Sequence, residues 1–172
     1  ADTIARLRRM GLTVEILSGD LAGPVGDIAR EVGVTEFRAA LTPFDKAAIV
    51  DQFKADGHKV LMVGDGLNDA AALSKAHASM APGAAVDAAQ NAADLVFTGE
   101  GLSAVVEAID TAREARRRAL ENFGFSALYN LVATPAAMFG LINPFIAALA
   151  MSGSSMVVLL NAARPRIAWR RR

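Results

Sequence analysis

Apolar and polar positions follow two different rhythms along the 172 residues. Over roughly the first hundred, short apolar runs end at turn-forming residues and alternate with helical spacing. TVEIL (13–17), KVLMVGD (59–65), HASMA (77–81) and ADLVF (93–97) read as strands, with EFRAAL (36–41) a weaker one. Between them the pattern predicts helices from about Val25 to Val32, from Phe44 to Ala55 after Pro43, from Asn68 to Ala76, and over 84–91. The opening segment ADTIARLRRM reads as the interior of a helix, an expectation of truncation, and its lack of an apolar stretch excludes a signal peptide. Alternating strands and helices predict an α/β fold with a parallel sheet covered on both faces.

After Leu102 the rhythm changes. LSAVVEAIDTAREARRRALEN reads as one long helix running into FGFSALYNLVATPAAMFGLI (123–142), and after an Asn143-Pro144 turn comes PFIAALAMSGSSMVVLLNAA (144–163). Each apolar segment is about 20 residues, or roughly 30 Å of helix, the thickness of a bilayer's hydrocarbon core. The expectation is a two-helix transmembrane hairpin; the competing reading is a helical hairpin buried in a large soluble core. Composition sharpens this. Residues 122–163 hold no Asp, Glu, Lys, Arg or His, in a chain 53% apolar overall. The zero formal charge hides an acidic first part (net −7 over 1–110) and a basic second part (net +7 over 111–172). Arg113, Arg116, Arg117 and Arg118 precede the hairpin, and Arg164, Arg166, Arg170, Arg171 and Arg172 follow it. The positive-inside rule then puts both ends in the cytoplasm. Four segments are expected: a partial domain over 1–110, a linker helix at 111–122, the hairpin at 123–163 and a basic tail at 164–172. With no cysteine in the chain, disulfides and thiolate metal sites within it are excluded.

The candidate chemistry lies where apolar runs end, because open parallel sheets carry their sites beyond the carboxyl ends of the strands. GDGLND (64–69) places Asp65 and Asp69 in a Gly-rich turn, a pair of hard oxygen donors of the kind that hold Mg²⁺ beside a phosphate. Gly64 and Gly66 permit the turn, and Asn68 and Asp69 stand at a helix start, where a plain capping role is the alternative. Ser18-Gly19-Asp20 offers a hydroxyl and a backbone N–H to a phosphate oxygen, or is an ordinary turn. Lys46 is a point charge for a phosphoryl group, or a solvated surface residue.

In this order, VEILSGD, LTPFDKAAIV and MVGDGLNDAAAL resemble the haloacid-dehalogenase-like superfamily, and within it the P-type ATPases. The resemblance implies a partial haloacid-dehalogenase-like phosphorylation domain, with Asp65 holding Mg²⁺ and Asp69 supporting that site. Ser18 and Lys46 would contact an aspartyl phosphate, with Gly19, Asp20 and Asn68 in the same motifs. The family has Thr where Ser18 stands, a change that keeps the hydroxyl, and MAPGAAVD is less usual for its Gly-rich loop. The acceptor aspartate of the family's D-K-T-G-T motif does not occur in this sequence, so the chain is expected to be the C-terminal portion of a pump, inactive alone.

In the apolar segments, Tyr129-Asn130 and the Met151-Ser152-Gly153-Ser154-Ser155 run are polar groups that either help helices pack or line an ion path. A thioether suits Cu(I). The Y-N and M-x-x-S-S layout is similar to the copper(I)-exporting heavy-metal ATPases, which implies Tyr129, Asn130, Met151, Ser154 and Ser155 along the path of transported Cu⁺. It further implies ATP as fuel, a copper chaperone and the rest of the pump as partners, a bacterial inner membrane as location, and no nucleic acid. Divalent-metal transport, a membrane-anchored phosphatase and a catalytically dead regulatory stub are the alternatives. Pro135 is expected to kink the first segment and open space near Tyr129 and Asn130.

Overall fold

A computed structural model of the chain describes residues 2–65, 67–85, 87–98 and 101–163. The expected roles of Gly66 and of the arginines of the 164–172 tail lie outside the described residues. Two compact units divide the chain near Ala108.

The first unit begins with α1 (Asp2–Arg9) and continues β1 (Glu15–Leu17), α2 (Ala22–Val32), β2 (Glu36–Arg38) and α3 (Pro43–Ala55). It goes on through β3 (Leu61–Val63), a single 3₁₀ turn (Leu67–Asp69), α4 (Ala70–Lys75), β4 (Ala78–Pro82), α5 (Asp87–Ala92) and β5 (Leu95–Phe97). All strand pairings are parallel. β1 pairs with β2, with Ile16 opposite Phe37, and β3-β4-β5 form a second ladder, with Met62 opposite Ser79 and Ala81 opposite Val96. The expected alternation of strand and helix and the parallel arrangement are present.

Local chemistry explains the boundaries. Helix α2 ends because Gly33 adopts φ of 78°, letting the Val34 N–H reach back to the Ala29 carbonyl at 2.7 Å. Helix α3 starts with a reciprocal cap: the Asp45 N–H donates to Thr42 Oγ1, the Thr42 N–H donates to the Asp45 carboxylate, and Pro43 opens the first turn. The segment 36–41, expected to be extended throughout, stops being a strand at Arg38. Ala40 takes a left-handed φ of 53°, which turns the chain so that the Ala40 and Leu41 N–H groups donate to the carbonyls of Asp20 and Ser18.

The core is built from small residues. Ala72, Ala81 and Ala89 are fully buried and, with Val50, Met62 and Leu73, let α3, α4, β4 and α5 approach closely. Ser79 and Asp94 tie β4 to the entry of β5, Asp94 Oδ2 accepting from both the N–H and the hydroxyl of Ser79 at 2.9 Å. The buried Val105 and Val106 lie in the first turns of α6 (Ser103–Met138).

The second unit holds the remainder of α6 and α7 (Pro144–Ala162). The long helix runs through Pro135, whose missing N–H cannot donate to the preceding turn, and ends at Met138. Gly140 at φ of 70° closes it, with the Leu141 N–H on the Ala136 carbonyl. Helix α7 begins at an Asn143 cap, whose side chain accepts from the Ile146 N–H at 2.8 Å.

Among the described residues one helix, α7 over Phe145–Ala162, is long and apolar enough to cross a membrane. Two had been expected. The first apolar segment falls short because Gly124, Ser126, Tyr129, Asn130 and Thr134 dilute it and the helix stops before residue 142. Only a few positions along the two helices are half-buried. On α6 these include Glu114, Arg118, Asn122, Ser126, Tyr129, Ala133 and Ala136; on α7 they are Ala150, Ser154 and Val158, followed by the buried Asn161. Steps of three and four make each set a single stripe on its helix.

Candidate functional site

Ser18, Asp65 and the Lys46–Asp69 pair stand where strands hand over to helices. Ser18 follows β1, and its N–H continues the ladder by donating to the Arg38 carbonyl at 2.9 Å. Its hydroxyl donates to Asp20 Oδ2 at 3.1 Å and accepts from the Asp20 N–H at 3.2 Å, a closed local turn that leaves Gly19 and Asp20 exposed. Gly19 lies close to the turn after β2: a Cβ there would meet the Leu41 carbonyl oxygen at 3.2 Å, a tight contact. The loop is thus held by the turn that ends β2 and remains open on its outer side.

The lysine reading resolves in favour of a buried group. Lys46, in the first turns of α3, is 8% exposed, and its Nζ donates to Asp69 Oδ1 at 2.7 Å; Asp69 is equally buried. Burying a cation is costly unless it is paired and hydrogen-bonded, so these two residues hold each other in place. Asp69 in turn rests on Gly64, where a Cβ would lie 2.7 Å from the Asp69 Cβ and 2.9 Å from its Oδ2. The glycine after β3 is therefore required by the close approach of the carboxylate.

The two aspartates of GDGLND consequently differ in setting. Asp65 is exposed and borders an open hollow of about 190 Å³ with Val63, Gly64, Pro82, Phe97 and Leu102. Asp69 is behind it, committed to Lys46. Asn68 is exposed on the 3₁₀ turn, and Asp69 makes no capping hydrogen bond to α4. Among the described residues no three His, Cys, Asp or Glu side chains cluster as a complete metal site. For Mg²⁺ this is a partial fit: Asp65 supplies one accessible hard oxygen, and a magnesium ion that keeps several waters needs only one or two carboxylates.

The second unit separates its candidates. Tyr129 on α6 and Ser154 on α7 belong to the half-buried stripes, whereas Asn130, Met151 and Ser155 are exposed on other faces. Met151 is 68% exposed, and the Ser155 hydroxyl donates back to the Met151 carbonyl at 3.0 Å. Three features went unread in the sequence. The Thr42–Asp45 cap was signalled by T-P-F-D. The fit of Gly64 against Asp69 and the hydrogen bonds of Asn161 depend on tertiary approach and left no local signal.

Residues 1–77 match the haloacid dehalogenase-like hydrolase family. Over 95% of its length the chain is 46% identical to the nitrogen fixation protein FixI of Bradyrhizobium diazoefficiens. Over 96% it is 40% identical to the probable copper-exporting P-type ATPase V of Mycobacterium tuberculosis. It spans 22% of the length of each of these relatives. Among solved structures, a zinc-transporting PIB-type ATPase in its E2.Pi state superposes with a TM-score of 0.90 over 95% of this chain and 27% of that one, at 32% identity. The ordered Ser18, Lys46 and Asp65–Asp69 groups on a parallel sheet, with these relatives along nearly the whole sequence, place the chain in the heavy-metal (P1B-type) P-type ATPase family.

Proposed function

We propose that the chain is the C-terminal part of an ATP-driven pump that exports Cu(I) through an aspartyl-phosphate intermediate, the acceptor aspartate being supplied by sequence outside these 172 residues. The observation that carries this reading is the division of labour at the strand ends. Asp65 faces the open hollow while Lys46 and Asp69 neutralise each other directly behind the same turn. Such an arrangement leaves one hard anionic donor facing solvent and fixes its backbone from beneath.

In this reading Asp65 holds Mg²⁺ with Asp69 supporting the turn, and the ion's contribution when bound is to neutralise phosphoryl charge. Ser18 turns its hydroxyl from Asp20 to a phosphoryl oxygen, and Gly19 offers its backbone N–H, from a loop that the end of β2 keeps in place. Exposed Asp20 and Asn68 flank that approach. Lys46 acts by orienting Asp69. Phosphorylation and its reversal would switch an ion path in the membrane between two accessibilities, the coupling expected of a transport ATPase.

Residues 123–163 form the membrane part, with α6 crossing beside α7 in the company of other helices of the full pump and both ends cytoplasmic. Tyr129, Asn130, Met151, Ser154 and Ser155 line the path. A thioether on an exposed helix face, with the Ser155 hydroxyl one turn along at the Met151 carbonyl, favours a soft monovalent ion. A copper chaperone would deliver it. The zinc-transporting structure with the same fold supports divalent transport as the second reading.

Metal-stimulated ATP hydrolysis and vesicle uptake by the full-length protein separate the two. Stimulation by Cu(I) and its loss in Met151→Leu are expected. Stimulation by Zn²⁺ alone would overturn the copper assignment, and stimulation by neither would overturn the pump.

A further inference from the structure

The α6 and α7 helices are joined at one end by a polar clamp that neither phosphate chemistry nor the proposed ion path uses. Asn161 is 7% exposed near the end of α7, a helix without a charged residue. Its Nδ2 donates to Asn122 Oδ1 at 2.8 Å and to Glu121 Oε2 at 3.3 Å. One residue further on, the Ala162 carbonyl, an end-of-helix acceptor, receives Arg118 Nη1 at 3.2 Å. Arg118 also pairs with Glu114, a turn earlier on α6. Beside the clamp, Glu121, Phe125, Val157, Leu160 and Asn161 line an open cavity of about 360 Å³, so packing around these hydrogen bonds is incomplete.

The clamp lies on the same stripes as the candidate ion residues. Asn122 and Tyr129 share the half-buried stripe of α6, and Asn161 and Ser154 share that of α7. Residues two turns apart face the same way, which puts Ser154 about 10 Å along the helix from Asn161. A side-chain amide has directional donors and acceptors, so it fixes one axial register between two helices where aliphatic contacts would tolerate several. Loss of that register shifts every residue farther along the stripe.

We infer that Asn161, through Asn122 and Glu121, is a positioning residue that sets the register of α7 on α6 and thereby holds Ser154 and Tyr129 in place for the transported ion. The inference rests on the pump reading given above. It assigns Asn161 no contact with the ion. It predicts that Asn161 and Asn122 act as a unit.

The test is a double-mutant cycle in the full-length protein, with Asn161→Leu, Asn122→Leu and the double variant, read by the Cu(I) concentration that half-activates ATP hydrolysis. Phosphorylation by inorganic phosphate in the absence of metal is the control for the catalytic unit. Each single substitution is expected to raise the half-activating concentration about tenfold, the scale of one lost buried hydrogen bond with its partner left unsatisfied. The double variant should be no worse than either single one, and phosphorylation by phosphate should be unchanged. Glu121→Gln, which keeps an acceptor for Asn161 and perturbs folding least, should shift activation by less than threefold. If the wild-type protein hydrolyses ATP in response to metal but the single variants leave activation unmoved, or their effects add, the clamp inference is overturned and the pump reading stands. If leucine variants fail to reach the membrane, Asn161→Gln and Asn122→Ser replace them under the same criterion. If wild type shows neither metal stimulation nor phosphorylation, the pump reading falls and the inference with it.

Discussion

Replacing Lys46 by Met removes the cation from the buried pair and leaves the Asp69 carboxylate with no counter-charge. Both side chains are about nine-tenths buried, and their contact is a direct 2.7 Å hydrogen bond, so solvent screening is slight. Breaking one partner of a buried pair typically costs about 3–5 kcal/mol, because the remaining charge stays desolvated. For a chain of this size each kcal/mol corresponds to roughly 2–4 °C, which places the expected fall in unfolding midpoint at about 6–20 °C. Asp69→Leu should cost a similar amount. The double variant should recover most of the loss, since two apolar side chains of similar volume have no charge to desolvate. Thermal and urea unfolding of the chain in detergent, followed by far-ultraviolet circular dichroism, would measure all three. A single-variant cost below about 1 kcal/mol, the range of an exposed ion pair, would refute the reasoning, as would a double variant that merely sums the two losses.

Other consequences follow from the same geometry. Gly64→Ala would push a methyl group to within 2.7 Å of the Asp69 Cβ; overpacking of this kind costs about 1–3 kcal/mol, and its urea midpoint should fall accordingly. Thr42→Ala removes one half of the α3 cap and should cost about 1 kcal/mol by the same unfolding assay. His77 supplies the pH dependence. Its Nδ1 accepts from the Val60 N–H at 3.2 Å, and partial desolvation, then Lys59 and Lys54, hold its pKa below the ordinary 6.5. The unfolded chain therefore binds the proton more readily, so stability from this group is complete above the unfolded value and is lost as pH falls through 6.5 toward the lower folded one. His77→Gln should flatten the urea midpoint over this window, and an unchanged slope would contradict the assignment.

The sequence made the α/β alternation legible where a strand runs into a serine or glycine, as β1, β3 and β4 do, and where a helix carries a start signal, as α3 does. Pro43 and the apolar run at 60–63 are the clearest examples. The ends of elements were less legible. Nothing in EFRAAL announces that Ala40 takes a left-handed conformation to hold the Ser18 loop, and nothing in FGFSALYNLVATPAAMFGLI marks the stop at Met138 except Gly140 just beyond. At the site, residue identity exposed Asp65, Asp69, Lys46 and Ser18, but their partnership did not follow from order along the chain. Lys46 resembles a surface lysine until α3 is laid against the turn after β3 and the side chain disappears beneath it. The hydrogen bonds of Asn161 were not legible, since a cross-helix hydrogen bond depends on which faces meet.

The most direct test of the central claim is formation of an acid-stable, hydroxylamine-sensitive phosphoenzyme by the full-length protein from radiolabelled ATP with Cu(I) and Mg²⁺, compared between wild type and Asp65→Asn. The account predicts a metal-dependent phosphoenzyme in wild type and none in Asp65→Asn, with the variant protein folded and present in the membrane in equal amount. Normal phosphoenzyme in Asp65→Asn, or none in wild type, would contradict it.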